Sequence, residues 1–222
     1  QRYGKYLSLP PKYMIYCFYS RQPVPGTQSS LKEGIIMHQV YLFLAPGFEE
    51  IEGLTVVDLL RRAGISITTV SISESLNVTG SHNISVTADA LFSECDFLNG
   101  NMFILPGGAP GTCNLDACTP LKDVLKKAYN NKKYIGAICA APMVLGHLGF
   151  LEGRKATCYP GFEEHLLGAS HTKDSVIVDG TIITSRGLGT AIDFSAELIA
   201  LLLDRSVAEQ IKKQIIYTKE NS

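Results

Sequence analysis

The sequence predicts an α/β fold in which a mostly parallel sheet lies between two layers of helices. Three observations carry that expectation. Apolar runs of strand length alternate with runs of helical spacing along most of the chain. Several strand runs are apolar throughout, as strands buried on both faces are. The composition, 45% hydrophobic and 18% charged over 222 residues, supports a sizeable core and argues against disorder.

The elements follow in order. "VYLFLAPG" (40–47) is a buried strand ending in a Pro-Gly turn. "FEEIEGLTVVDLLRRAG" (48–64) has helical spacing, acids at its start, Arg61 and Arg62 at its end and Gly64 as its stop. "ISITTVSI" (65–72) reads as a strand, and "NMFILPGG" (101–108) as another that ends in glycines. "PLKDVLKKAYNN" (120–131) is an amphipathic helix. "YIGAI" (134–138) is a strand and "AAPMVLGHLGF" (140–150) a helix. "SVIVDGTIITS" (175–185) predicts a hairpin about Asp179-Gly180. Helices over 190–203 and 207–216 close the chain.

Residues 1–36 differ from the rest. They hold Arg2, Lys5, Lys12, Arg21 and Lys32 against one acid, Glu33, and show no clean period. They read as an N-terminal extension outside the catalytic fold, either a transit-like leader or a cloning remnant. An extension of the folded domain is the alternative. The domain then runs over 37–222, with Met37 opening the first convincing strand.

Several function classes are disfavoured. A formal net charge of −1 gives no basic face for nucleic acid. No apolar run reaches the roughly 18–20 residues of a membrane span. The cysteines at 17, 95, 113, 118, 139 and 158 make no CxxC and no zinc-ligand spacing, and are expected to be reduced intracellular thiols. No metal and no cofactor are predicted. The location expected is cytoplasmic, or an organelle if 1–36 is a native leader.

In parallel sheets, sites gather beyond the C-terminal strand ends. Three such ends carry unusual residues: Pro46-Gly47 with the acids after it, Gly107-Gly108, and Cys139. Cys139 stands between a strand run and a helix run, with Ala137 and Ala141 two positions either side. That is the pattern of a nucleophile elbow. A helix opening at Ala140 would aim amides and its positive end at the sulfur and favour thiolate. The plain alternative is a buried cysteine acting as a small hydrophobe. Gly107, Gly108 and the amide of Ala140 could form an oxyanion hole. In "EEIE" (49–52), Glu49 and Glu50 read as ordinary helix-start charge. Glu52 lies one turn in; beside a thiolate it must be neutral, donating a hydrogen bond or ferrying a proton. Nothing directs His38, His82, His147, His165 or His171 toward Cys139; His165, in "YPGFEEH", is the outside candidate for a base.

The blocks "LAPGFEEIE", "RRAG", "LPGG", "AICAAP" and "TSRGLGTAIDF", in that order, resemble the DJ-1/ThiJ/PfpI superfamily, closest to its DJ-1 and YajL-like branch. The resemblance implies a flavodoxin-like three-layer sandwich and a homodimer. It implies that Cys139 is the reactive, oxidisable cysteine and Glu52 the carboxyl bonded to it. Gly107, Gly108 and Ala140 fall on the amide loop. Tyr159, Pro160, Arg186 and Gly187 border the pocket, and Asp58, Arg61 and Arg62 fall on the helix at the dimer side. The DJ-1 group has a histidine where this chain has Tyr159, so a Cys-His dyad is not expected. Cys158 reads as a strand cysteine, with a resolving thiol as the alternative. The function implied is a cysteine-dependent protein of carbonyl and oxidative stress, a glutathione-independent glyoxalase or deglycase acting on methylglyoxal or glycated adducts. The alternative is a non-enzymatic redox sensor or chaperone in which Cys139 becomes a sulfinate. A cysteine peptidase or amidase, and the thiazole monophosphate role that the ThiJ label suggests, rank lower.

Overall fold

Five of the six residues in Gln39–Leu44 (β1) are buried, because the strand lies inside a sheet covered on both faces. The structure, a computed structural model, describes residues 38–218. The expectations for 1–36, and Cys17, lie outside the described residues. Along β1 the side chains alternate between two cores. Val40, Leu42 and Leu44 join one with Val56, Leu60, Phe194 and Leu198. Tyr41 and Phe43 join the other with Phe103, Leu121, Leu125 and Leu145. Each such fully buried Leu or Phe contributes about 1.5–3 kcal/mol relative to exposure.

After β1 comes α1 (Glu50–Arg62), then β2 (Ser66–Ser71), β3 (Asn77–Thr79), β4 (Ser85–Thr87), β5 (Ala90–Leu91) and β6 (Met102–Leu105). Next are α2 (Gly111–Ala117), α3 (Thr119–Asn130), β7 (Tyr134–Ile138) and α4 (Pro142–His147). The chain continues through β8 (Lys155–Ala156), β9 (Ser170–His171), β10 (Val176–Asp179), β11 (Ile182–Ser185), α5 (Ala191–Leu202) and α6 (Arg205–Gln214). The central sheet has seven strands in the order β10-β11-β7-β6-β1-β2-β5. Only the β10–β11 pair is antiparallel, as the hairpin pattern predicted. The core containing Val40 packs α1, α5 and α6 on one face, and the core containing Phe43 packs α3 and α4 on the other. The expected three-layer α/β architecture is therefore present.

Because β7, β6 and β1 are neighbours, their C-terminal ends share one rim. The three unusual strand ends meet there: the Glu49 amide donates to the Gly107 carbonyl at 2.8 Å.

Several elements had no sequence signal. The β3–β4 hairpin and the two-residue pairs β8 and β9 are too short for a period to show. Helix α2 begins at a glycine and buries only Gly111, Thr112 and Leu115. One expectation needs correcting: the helix predicted over 140–150 occupies only Pro142–His147, with Ala140 and Ala141 in the turn before it. Among the described residues, no helix is long and apolar enough to cross a membrane.

Candidate active site

Cys139 follows β7 directly and has φ +65°. A β-carbon crowds the backbone in that region, at a cost of about 1–2 kcal/mol, so the conformation must be imposed from outside. Two hydrogen bonds impose it. The Cys139 amide donates to the Ser185 carbonyl at 2.9 Å, and its carbonyl accepts from the Tyr159 amide at 2.8 Å. The elbow expected from the flanking alanines is thus present, and Ala137 and Ala141 are fully buried on either side of it.

Glu52 reaches the same point from α1. Glu49, in extended conformation, caps that helix by accepting from the Glu52 amide at 2.7 Å. The cap sets where the helix begins and so where Glu52 points. Glu52 is 1% exposed. Its Oε2 accepts from the Gly107 amide at 2.9 Å, its carboxyl hydrogen-bonds with the Cys139 sulfur, and the backbone of Leu188 bonds to it as well. Burial raises its pKa to about 7, against the lowering effect of those hydrogen bonds.

Burial also raises the Cys139 pKa, and a charged Glu52 raises it further; the amides of Ala140 and Gly108 pull the other way. This corrects the expectation of a thiolate favoured by a helix end: α4 starts too late, at Pro142, and burial outweighs the amides. Cys139 and Glu52 are therefore coupled: a charged Glu52 holds the proton on the thiol, and burial keeps a proton on Glu52. Thiolate beside protonated Glu52 is the reactive arrangement, and in it the carboxyl donates to sulfur.

The glycine loop is divided in its roles. Gly107 spends its amide on Glu52, which removes it from the predicted oxyanion hole. Gly108, at φ +99°, and Ala140 are the amides that act on the sulfur. At Gly107 a β-carbon would lie 2.5 Å from the β-carbon of Cys139 and 2.6 Å from Oε2 of Glu52. Neither neighbour can swing away. Gly107→Ala is expected to separate the pair, slow alkylation of Cys139 by iodoacetamide at least tenfold and lower the melting temperature. Unchanged alkylation kinetics would contradict this.

The other predicted residues fall as follows. Tyr159 is half exposed; a β-carbon at Gly187 would sit 3.3 Å from its ring and 3.7 Å from Oε1 of Glu52, so Tyr159 and Gly187 line the approach to the carboxyl. Pro160 is exposed. Arg186 acts on Cys158 and Glu163 rather than on Cys139, and its buried Nη1 has no hydrogen-bond partner among the described residues. Cys158 is 0% exposed in a core, and burial pushes its pKa to about 11, as suits a plain buried cysteine; it lies in the loop after β8 and not in a strand as expected. The described cysteines are free thiols. On the outer face of α1, Asp58 pairs with Arg62 at 2.7 Å, and Arg61 pairs with Asp89 at 2.6 Å. His165, the outside candidate for a base, faces His147 at 3.3 Å, and His147 faces Asp116 at 3.0 Å; neither histidine is among the groups that act on the Cys139 thiol.

Sequence reasoning missed two things here. Leu188 supports Glu52 through its backbone, which leaves no sequence signal. Glu50 is not idle helix-start charge. It is 1% exposed and accepts from the amide of His82 at 2.7 Å, with the His82 ring at 2.9 Å, which fastens the β3–β4 turn to α1. Glu49, Glu50 and His82 bring potential metal-ligand atoms within 4.8 Å of one another. Their oxygens are already engaged with the Glu52 and His82 amides, so the cluster is accounted for by hydrogen bonds.

Residues 38–201 match the DJ-1/PfpI family. The chain belongs to that family. A protein named DJ-1 homolog B from Arabidopsis thaliana is 37% identical over 180 residues, which are 80% of this chain and 41% of the relative. The chain thus spans less than half the length of that DJ-1 relative. A protein named a deglycase from Pyrococcus abyssi is 29% identical over 167 residues, 74% of this chain and 99% of the relative. Among solved structures, oxidized Toxoplasma gondii DJ-1 aligns with a TM-score of 0.79 and 33% identity, covering 82% of this chain and 100% of that one. The sheet order and the elbow described above are therefore those of a DJ-1/PfpI domain.

Proposed function

We propose that this DJ-1/PfpI domain is a glutathione-independent glyoxalase or deglycase that acts through Cys139. One observation carries the reading: a buried carboxyl with a pKa near 7, hydrogen-bonded to a cysteine in a strained elbow. The Pyrococcus abyssi relative named as a deglycase supports it.

In this mechanism the Cys139 thiolate adds to the aldehyde carbon of methylglyoxal. A C–S bond forms, and the carbonyl electron pair moves to oxygen, held by the amides of Gly108 and Ala140. Glu52 delivers its proton to that oxygen and completes the hemithioacetal. As carboxylate it then takes the proton from the former aldehyde carbon and returns it to the neighbouring carbon, through an enediol. The result is a lactoyl thioester. Water hydrolyses it to lactate and restores the thiol, so no oxidant or reductant is consumed. The test is lactate formation from methylglyoxal without glutathione. Many equivalents per chain are expected; release of one equivalent or less would overturn the enzymatic reading.

A second reading is favoured by the oxidized DJ-1 of Toxoplasma gondii. There Cys139 would take up two oxygens from peroxide as a sulfinate, with protonated Glu52 bonded to it. Peroxide modification of Cys139 without turnover of methylglyoxal identifies that case.

We also propose that two copies associate through the outer face of α1. Ile51 and Leu54 are 48% and 37% exposed there. Leu54, Asp58, Arg62, Ile192 and Ile216 line a groove beside it. Sedimentation is expected to give a dimer, and Leu54→Glu a monomer; an unchanged mass for the variant would count against this face.

A further inference from the structure

We propose that the facing imidazole nitrogens of His147 and His165 form a binding site for a divalent transition-metal ion of the zinc type, braced by Asp116. His147 ends α4, and His165 ends a short 3₁₀ turn at 163–165. The two are 18 positions apart. The fold brings them together because α4 and that turn touch at Gly146, where a β-carbon would overlap the His165 carbonyl.

The geometry suits a metal rather than two unrelated surface rings. Asp116 Oδ2 lies 3.0 Å from His147 Nδ1. The carboxylate only accepts, so Nδ1 carries the hydrogen and Nε2 is left with a free lone pair. That lone pair faces Nδ1 of His165 at 3.3 Å. On the far side of His165, the Glu164 carboxylate lies 3.9 Å from Nε2, beyond hydrogen-bond reach, so without an ion His165 carries its hydrogen on Nδ1 and donates it to His147 Nε2. An ion that takes the place of this hydrogen, which moves to Nε2, meets a second lone pair on Nδ1 at the same point. Two imidazole nitrogens bound at 2.0–2.1 Å to one tetrahedral ion stand about 3.3–3.4 Å apart. The ring planes are 76° apart, so both lone pairs can meet without stacking.

A carboxylate behind a ligating histidine fixes its tautomer and strengthens the ligand. Here Asp116 does this for His147. Neutral imidazole selects zinc, nickel or copper over magnesium and calcium. With side-chain exposures of 32% and 37%, the rings admit an ion from solvent, and water completes its shell. Binding takes the place of the hydrogen that His165 Nδ1 donates to His147 Nε2.

The experiment uses the full chain, stripped with chelator, and long-range proton–nitrogen spectra of the imidazoles during Zn²⁺ titration. Saturable shifts at His147 Nε2 and His165 Nδ1 are expected, with His82 unaffected at the same ion concentration. Asp116→Asn is expected to weaken binding about 10–100-fold, and His165→Gln to abolish those shifts. Zn²⁺ that shifts neither ring, or binds with equal affinity to the His165→Gln variant, overturns the site. The wild-type spectra decide this even if a variant folds poorly.

Discussion

Cys139→Ala is expected to lower kcat/KM for methylglyoxal by roughly 10³-fold or more, because no other described thiol stands beside a carboxyl in this way. A companion substitution separates chemistry from strain. Alanine keeps a β-carbon at φ +65°, whereas glycine adopts that backbone freely. Cys139→Gly should be as inactive as Cys139→Ala yet more stable than it by about 1 kcal/mol. For a chain of this size that is about 2–4 °C in melting temperature. The strain is imposed by the Ser185 carbonyl and the Tyr159 amide, which remain in both variants. Equal melting temperatures would mean that the elbow relaxes when the sulfur leaves, and that the strain belongs to the side chain instead of the fold.

Glu52→Gln carries the second large effect. Glutamine retains a hydrogen-bond donor for sulfur but cannot pass a proton on. A loss of roughly 10²–10⁴-fold in kcat is expected. The same substitution has a signature in stability. The folded pKa of Glu52 is raised to about 7 from an ordinary value of 4.5. The native state therefore holds a proton that the unfolded chain has released. Its stabilising contribution is complete below about pH 4.5 and fades as pH rises through about 7. The span is on the order of 3 kcal/mol. Glu50, held down to about 2 by its bonds to His82, contributes in the opposite sense at lower pH. It is common to both proteins and cancels in the difference. The wild type should lose stability relative to Glu52→Gln between pH 5 and 8. Parallel curves would mean that Glu52 ionises freely and that no proton is shared with Cys139.

Much of this architecture was legible in the residues. The runs at 40–45 and 134–138 announce strands buried on both faces, because neither has a polar position to turn toward water. Cys139 could be picked out as a functional group set among small neighbours at an element end, and Glu52 by its place one turn into the helix that follows the first strand. What escaped depended on distance along the chain. Gly107 and Glu52 are 55 positions apart, and nothing in "LPGG" says which of its amides is already engaged. The thiolate expectation failed for a related reason: sequence displays the amides near sulfur but not the burial that opposes them. Short elements such as α2 were missed because a helix with few buried positions has no stripe to read.

The two peptide bonds that clasp Cys139 also make it observable. The amide hydrogens of Cys139 and Tyr159 are both donated inward, one to Ser185 and the other to Cys139 itself. Neither can exchange with deuterium from solvent until β7 parts from β11 or the 157–159 segment lifts away. Their exchange rates therefore time the opening of the elbow directly, and a ligand or oxidant that tightens the turn should slow both together.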